Sequence, residues 1–433
     1  MIRNRLSALM QKLTDRTVLA HLVQPAVDAL GAIRTTAKST PVLDMPDFLT
    51  LGVLRHLRGI RILREQVQEL LHLDPSAETR VPLPRSTWSD ALASPQRQKI
   101  LTEMIPVLVR HAEAVLPDRL AGIPGLGSRP VYALDGTYEE PSAHFRHCPP
   151  REGGDHNPKG HGLLTFHNLR LGVPVDVQVE VLNRHETTVL RDYDKTPDAV
   201  TQHRNALFVV DRAFIDAPFW DVKKAKLGIT MITRMKSNLR IDSTEALALA
   251  PDPVNDGILR DLRIMLSSSR QPWRLITYRT RRGHRVEFLT NDFDLQPGVI
   301  AFLYSRRWEE EKCFDTWKND FSQAKAWGNS PTAIDSQARL AIITSILIPI
   351  ILQQTLGTHG SRDIKSLRRQ ARRQVKAPHQ PDGTDRPMWT VALFRCTSKV
   401  SRQVLRFFKH CFLRPAAPAL YQRELRPLLM AYL

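Results

Sequence analysis

Four residue types that handle phosphates and metal ions recur at fixed spacing in the stretch YSRRWEEEKCFDTWK (304–318): Tyr304, Arg307, Glu311 and Lys318, a Y-x2-R-x3-E-x6-K pattern. Neither Gly nor Pro interrupts the stretch, so it reads as one helix. At about 100° per residue the four project at roughly 0°, −60°, −20° and −40° about the axis. They therefore share one narrow face. An acid there suits a metal ion, and the two cations suit phosphate oxygens. The ordinary alternative is a solvated helix with i,i+4 ion pairs.

Acids elsewhere tip that balance. VYALDGTY (131–138) and ALFVVDRAF (206–214) are short apolar runs, each leading into an aspartate, Asp135 and Asp211. Such runs read as buried strands. Aspartate is a poor strand former and costly to bury unpaired. At a strand's end it sits on the rim of a sheet, where ligands bind. Two strand-end acids plus one helical acid are what a two-metal phosphoryl-transfer site needs.

These residues resemble those of the DDE transposases of bacterial insertion sequences, and within them the Y-R-E-K group, often called the insertion-sequence-four family. Tyr304, Arg307, Glu311 and Lys318 match that signature at every spacing. Asp135, in Asp-Gly-Thr, and Asp211, in Val-Asp-Arg-Ala-Phe, match the first two acids of the triad. The resemblance covers roughly 130–330 well and the flanks loosely. It implies that Asp135, Asp211 and Glu311 hold two Mg2+ ions, with Mn2+ able to substitute. Arg307, Lys318 and Tyr304 would hold phosphates near the scissile bond. It further implies double-stranded DNA partners, both transposon ends and target, and a homodimer in the synaptic complex.

Within the signature helix, Glu309, Glu310, Glu311 and Asp315 compete for the third position. Relative to Tyr304 they project at roughly 140°, 240°, −20° and 20°. Glu309 and Glu310 thus point away from the signature face, and Glu311 rather than Asp315 has the family spacing.

The whole chain suits a polyanionic partner. Its 433 residues carry a formal charge of +18, and nucleic acid is the commonest reason for such an excess. Residues 361–433 contribute sixteen Lys and Arg against four Asp and Glu, a net +12. Arg368, Arg369, Arg372 and Arg373 form a cluster there that we read as a phosphate-binding surface. Cys148, Cys313, Cys396 and Cys411 lie far apart with no Cys-x-x-Cys pair, which argues for reduced thiols. The basic N-terminal segment lacks a continuous apolar core of the secretory kind. A cytoplasmic, nucleoid-associated location is expected, with no membrane partner. The apolar run Leu340–Leu352 is short for a span and reads as a buried helix of a C-terminal bundle.

The fold expected is α/β: a ribonuclease H-like catalytic core with a β-rich insertion, flanked by α-helical N- and C-terminal regions. Residues 1–128 read as a helical DNA-binding domain, with helical spacing in 18–34, 48–73 and 97–116. Ser86 could cap a short helix from Thr87, giving a helix-turn-helix-like arrangement. The catalytic domain spans 129–236 and 298–330. Within it 139–162 is a Pro/Gly/His-rich loop whose His144, His147, Cys148, His156 and His161 match no zinc spacing. A hairpin follows over 163–182 around Gly172, then a helix (186–203), the Asp211 strand, a helix (220–227) and a strand (229–235). An insertion subdomain fills 237–297, with a hairpin around Arg281–Gly283 and Trp273 read as buried. In the family that insertion contacts a hairpin DNA end. The basic helical C-terminal region is 331–433. The functional expectation is a transposase that binds terminal inverted repeats, cleaves the DNA ends and joins them to target. A ribonuclease H-like nuclease, or a catalytically retired DNA-binding protein, are the rivals.

Overall fold

The computed structural model describes residues 17–33, 43–58, 84–142, 160–180, 184–280, 283–321, 323–350 and 353. The basic cluster Arg368–Arg373, most of the His-rich loop, and Cys148, Cys396 and Cys411 lie outside them.

A nine-stranded sheet carries the molecule, in the order β3-β2-β1-β4-β5-β9-β8-β7-β6. Its first half comprises β1 (Val131–Glu139), β2 (His161–Asn168), β3 (Val173–Glu180), β4 (Leu207–Val210) and β5 (Thr230–Arg234). β1–β2 and β2–β3 are antiparallel, while β1–β4 and β4–β5 are parallel. The β2–β3 turn closes through Gly172 at φ +71°, a left-handed conformation that favours glycine. Three antiparallel strands followed by two parallel ones, with β1 central, is the ribonuclease H-like order.

The second half is the insertion. β6 (Ile241–Ala246), β7 (Ile258–Leu266), β8 (Pro272–Arg279) and β9 (Arg285–Thr290) extend the same sheet, β9 pairing antiparallel to β5. The expected hairpin is β8–β9; β6 and β7 were not anticipated. Trp273 is fully buried, its Nε1 donating to Asp221 Oδ1 at 3.1 Å and Ser269 Oγ at 3.0 Å.

Side-chain alternation splits the sheet into two faces. Val131, Ala133, Leu207, Val209 and Ile232 form one apolar core with Val299, Ile300, Phe302 and Leu303 of the helix Pro297–Arg306. Tyr132, Leu134, Phe208, Val210 and Met231 face the other, larger core. That core takes in helices α1 (Thr17–Gly31), α2 (Met45–Arg58), α3 (Arg85–Leu92), α4 (Pro95–Val115), α5 (Glu186–Tyr193) and α6 (Ala217–Leu227). In chain order, Pro297–Arg306 is α7, Trp308–Asp315 is α8 and Pro331–Ile350 is α9.

Ser86 does not cap the short helix; α3 begins at Arg85 after Pro84, and Ser86 lies in its first turn. The cap belongs instead to Ser94, whose Oγ accepts from Arg97 N at the start of α4, with Pro95 in the first turn. α9 is apolar and long enough to cross a membrane, but 89% of its apolar window is buried inside the protein. Its partners include the N-terminal helices. A Cβ at Gly52 of α2 would press on the Leu340 side chain, Gln98 of α4 donates to Asp335 at 2.7 Å, and His56 sits by the Gln337 carbonyl at 3.3 Å. The Arg55 guanidinium stacks over Trp327 at 4.1 Å. The helices before residue 128 and α9 thus share one core.

Candidate active site

Asp135 and Asp211 are brought together because β1 and β4 are parallel neighbours. Only Asp211 stands at a strand end: β1 runs on to Glu139 along its antiparallel pairing with β2, which leaves Asp135 in mid-strand. The parallel pairing ends at Leu134 and Val210, so Asp135 and Asp211 are the residues just past the last rung, on chains about 4.8 Å apart there. Alternation puts both on the face of Val131, Ala133, Leu207 and Val209, the one α7 covers. Asp211 follows the last residue of β4 and opens a 3-10 turn, Arg212–Phe214. Ligands bind outside the carboxyl ends of parallel strands in sheets of this kind. Gly136 leaves room there: a Cβ on it would collide with the Glu186 carboxylate at the start of α5.

The signature stretch is not one regular helix. α7 ends at Arg306 and α8 begins at Trp308. Arg307 N donates to Tyr304 O at 3.1 Å and Glu310 N to Arg307 O at 3.0 Å, so the hydrogen bonding tightens to i→i−3 at the join. At its far end the chain widens into a π turn, Thr316–Asp320, with Phe321 N on Thr316 O at 2.8 Å. Register changes of this kind inside a helix are frequent at functional sites.

Arg307 is the centre of the cluster. Its Nη1 donates to Asp135 Oδ2 at 2.6 Å and its Nη2 to Glu311 Oε1 at 2.5 Å. One guanidinium therefore joins the first strand acid to the helix acid. The Arg307 Nε is buried without a partner. The half-buried Tyr304 ring lies 6.0 Å from the guanidinium and packs against Phe288 at 5.2 Å. Burial raises the Asp135 pKa; Arg307 and the Gly136 N–H oppose that, while Asp211 and Glu311 add to it. Burial works against the charge on Arg307, but Asp135, Tyr304 and Glu311 outweigh it and hold the guanidinium charged. Lys318 is exposed in the π turn and makes no ion pair among the described residues. Asp315 is exposed one turn beyond Glu311.

Glu309 and Glu310 are buried, not solvated. Glu309 pairs with Arg306, and with Arg119 at 3.5 Å. Glu310 is fully buried beside the Asp135 backbone, and neither carboxyl oxygen has a hydrogen bond of ordinary geometry. Burial, then the Asp135 charge, push its pKa well above the usual carboxylate range. Their helical angles do point away from the Tyr304 face, but that direction leads into the sheet. Nothing in the spacing flags this; only the packing of α8 on β1 reveals it.

Among the described residues no three His, Cys, Asp or Glu side chains stand together at metal-ligand distances. The space between Asp135 and Glu311 is spanned by the Arg307 cation. The donor chemistry nevertheless fits a hard divalent ion: the oxygens of three carboxylates, with one paired cation among them in the described residues. Beside Tyr304 a cavity of about 220 Å3 opens between α7 and the insertion, lined by Arg234, Tyr278, Phe288, Phe302 and Tyr304 among others. Its walls come from five separate elements, so no single stretch of the sequence announces it.

Among solved structures the chain is similar to the cryo-EM structure of piggyBac transposase in a synaptic complex with hairpin DNA, at 12% identity and a TM-score of 0.40, over 98% of this chain and 85% of that one. No curated protein matches the chain. The family model for the transposase DDE domain matches residues 128–346, which run from just before β1 into α9 and contain Asp135, Asp211 and Glu311. That match spans more than half of the chain, and the chain belongs to the DDE-domain transposases, a family of enzymes that cut and join DNA.

Proposed function

We propose that this transposase belongs to the Y-R-E-K group of insertion-sequence enzymes, binds the terminal inverted repeats of its element, cleaves the DNA ends and joins them to target DNA. The observation that carries the proposal is the triangle Asp135–Arg307–Glu311, with Asp211 beside Asp135 at the end of the neighbouring strand β4. Asp135, Asp211 and Glu311 are the residues that would hold two Mg2+ ions. When bound, such ions activate a water or a DNA 3′-hydroxyl and neutralise the leaving oxygen.

The chain's own side chains do the rest. Arg307 and Lys318 grip phosphates beside the scissile bond, and the Tyr304 hydroxyl donates to another. The aromatic walls of the cavity beside Tyr304 give the insertion a surface for the DNA end. Arg368, Arg369, Arg372 and Arg373 supply further phosphate contacts. The active assembly is a synaptic homodimer in the cytoplasm, on the nucleoid. Because the helices before residue 128 are buried against α9, their role in reading the ends is tested with surface substitutions on α3 and α4, not by truncation.

The deciding experiment is cleavage of a labelled transposon-end duplex in Mg2+, with binding followed by gel shift. Glu311→Gln should bind ends and fail to cut. If it cuts at the wild-type rate while Asp315→Asn does not, the third acid lies one turn further along. If the wild type binds ends and never cuts, the protein is a retired transposase acting through DNA binding. Affinity should fall steeply with salt, log K dropping about 0.9 per phosphate contacted for each tenfold rise in salt; a flat response removes the basic C-terminal region as a phosphate surface.

A further inference from the structure

Arg307 has one guanidinium and two prospective employments: the acids it bridges here, and the phosphate that the proposed function assigns to it. Two of its five N–H donors, one on Nη1 and one on Nη2, bond to Asp135 and Glu311 at 2.6 and 2.5 Å, and its Nε is buried and unpartnered. Its single positive charge is thus already shared between two acids. The side chains of Asp135 and Arg307 are 19% and 16% exposed, and that of Glu311 37%. A group arriving from solvent therefore reaches the cluster from the Glu311 side.

We propose that Arg307 is a built-in counter-ion that holds the acid cluster together in the free protein and is exchanged for metal and DNA together. The inference rests on the reading of Asp135 and Glu311 as metal ligands. The physical argument is charge balance. Asp135, Asp211 and Glu311 lie within one electrostatic neighbourhood. Carboxylates this close repel one another unless a cation stands among them. Arg307 supplies one positive charge against three negative ones. A divalent cation between Asp135 and Glu311 competes for the same oxygen lone pairs, so its entry displaces the guanidinium. The freed guanidinium is then an unpaired cation in a half-buried site, costly unless a new anion takes it up. A DNA phosphate is that anion. Metal and DNA should thus bind with positive coupling carried by Arg307, each making room for the other. Linkage requires the effect to be reciprocal.

Arg307 lies at the join of α7 and α8, where hydrogen bonding shifts to i→i−3 on both sides of it while its own backbone stays helical at φ −50°, ψ −33°.

The test is Mn2+ binding to the full chain by calorimetry, with and without a blunt-ended DNA duplex, in wild type, Arg307→Gln and Arg307→Lys. Wild type should bind Mn2+ more tightly with the duplex, by about 5- to 150-fold, the usual range for coupled sites. In Arg307→Gln the free protein should bind Mn2+ more tightly than free wild type, and the duplex should add little. Arg307→Lys keeps the charge but offers one ammonium to two carboxylates, so its coupling should fall between the two. It also serves if Arg307→Gln fails to fold. A general polyanion effect predicts the same duplex-induced gain in all three proteins, and that result overturns the proposal. So does weaker Mn2+ binding by free Arg307→Gln, which would make Arg307 a support for the metal site instead of its competitor. A wild type that binds no Mn2+ under either condition instead sinks the metal-site reading itself.

Discussion

Two arginine–carboxylate clusters in this protein show how differently one kind of contact can be used. In the insertion, Arg274 meets the single carboxylate of Asp261 through two bonds, Nε to Oδ1 at 2.7 Å and Nη2 to Oδ2 at 2.5 Å. Its Nη1 donates to the Leu295 carbonyl at 2.7 Å. Both side chains are buried, at 7% and 1% exposure. Charge and hydrogen-bonding capacity are both satisfied, one cation for one anion. Where β1 and β4 part, Arg307 splits its two terminal nitrogens between two acids, with a third acid, Asp211, at the end of β4 beside Asp135 and its own Nε unpartnered. The first cluster is closed and stabilises a sheet. The second is open and carries surplus negative charge.

The largest contrast should come from isosteric substitutions. Glu311→Gln is expected to lower the rate of strand cleavage by about 10,000-fold, roughly 5.4 kcal/mol of transition-state stabilisation, without lowering the denaturation midpoint. A cleavage rate within tenfold of wild type would remove Glu311 from the chemistry.

Removing one member of the closed pair should do the reverse. Arg274→Met leaves the Asp261 carboxylate buried and unpaired, and should cost about 3–5 kcal/mol of stability. Urea unfolding measures it, and the folded fraction should cut DNA at the wild-type rate. A loss below about 1 kcal/mol, the scale of exposed pairs, would erase the distinction between the two clusters.

Glu310 sharpens the comparison through pH. Its folded pKa is raised by burial and by the Asp135 charge. A raised folded pKa means the group binds its proton more tightly when folded. Its contribution is fully present below the ordinary glutamate pKa, about 4.3, and is lost as pH rises towards the folded value. Glu310→Gln keeps a neutral side chain at every pH. Its stability gain over wild type should therefore grow by up to about 1.4 kcal/mol per pH unit across that window. Melting both proteins at pH 5 and pH 8 tests this; a pH-independent difference contradicts it.

The smallest effect should be that of Asp315→Asn, an exposed residue a turn beyond Glu311. Its cleavage rate should fall by less than tenfold, about 1.4 kcal/mol. A larger fall would move the open cluster's boundary outwards along α8.

Much of this architecture was legible in the chain because local pattern and burial agree. The apolar runs before Asp135 and Asp211 are strands buried on both faces, although β1 continues past Asp135 to Glu139, and the hairpin at Gly172 announces itself by its turn. β6 and β7 were missed for physical reasons. β6 is an exposed edge strand with no apolar alternation. β7 buries Ile258, Asp261, Ile264 and Leu266, a mixed spacing interrupted by an irregularity near Arg260 that imitates neither a strand nor a helix. The site was legible as residue types and spacing. Its wiring was not. A helical wheel assigns Glu310 a direction but cannot say that the direction leads into a sheet. Nor can it reveal that Arg307, three residues from Tyr304, closes across to an aspartate 172 positions earlier.

The central claim is that surplus negative charge around Asp135, Asp211 and Glu311 awaits divalent cations, whereas the closed pair in the insertion does not. The most direct test is the melting temperature of the full chain with and without Mn2+, in wild type, Asp135→Asn, Asp211→Asn and Asp261→Asn. An ion held only by the folded state stabilises it by about 2.7 kcal/mol at 100 times its Kd. Mn2+ should raise the melting temperature of wild type and of Asp261→Asn alike, and should do little to Asp135→Asn and Asp211→Asn. Equal shifts in all four proteins, or no shift in wild type, would contradict the account.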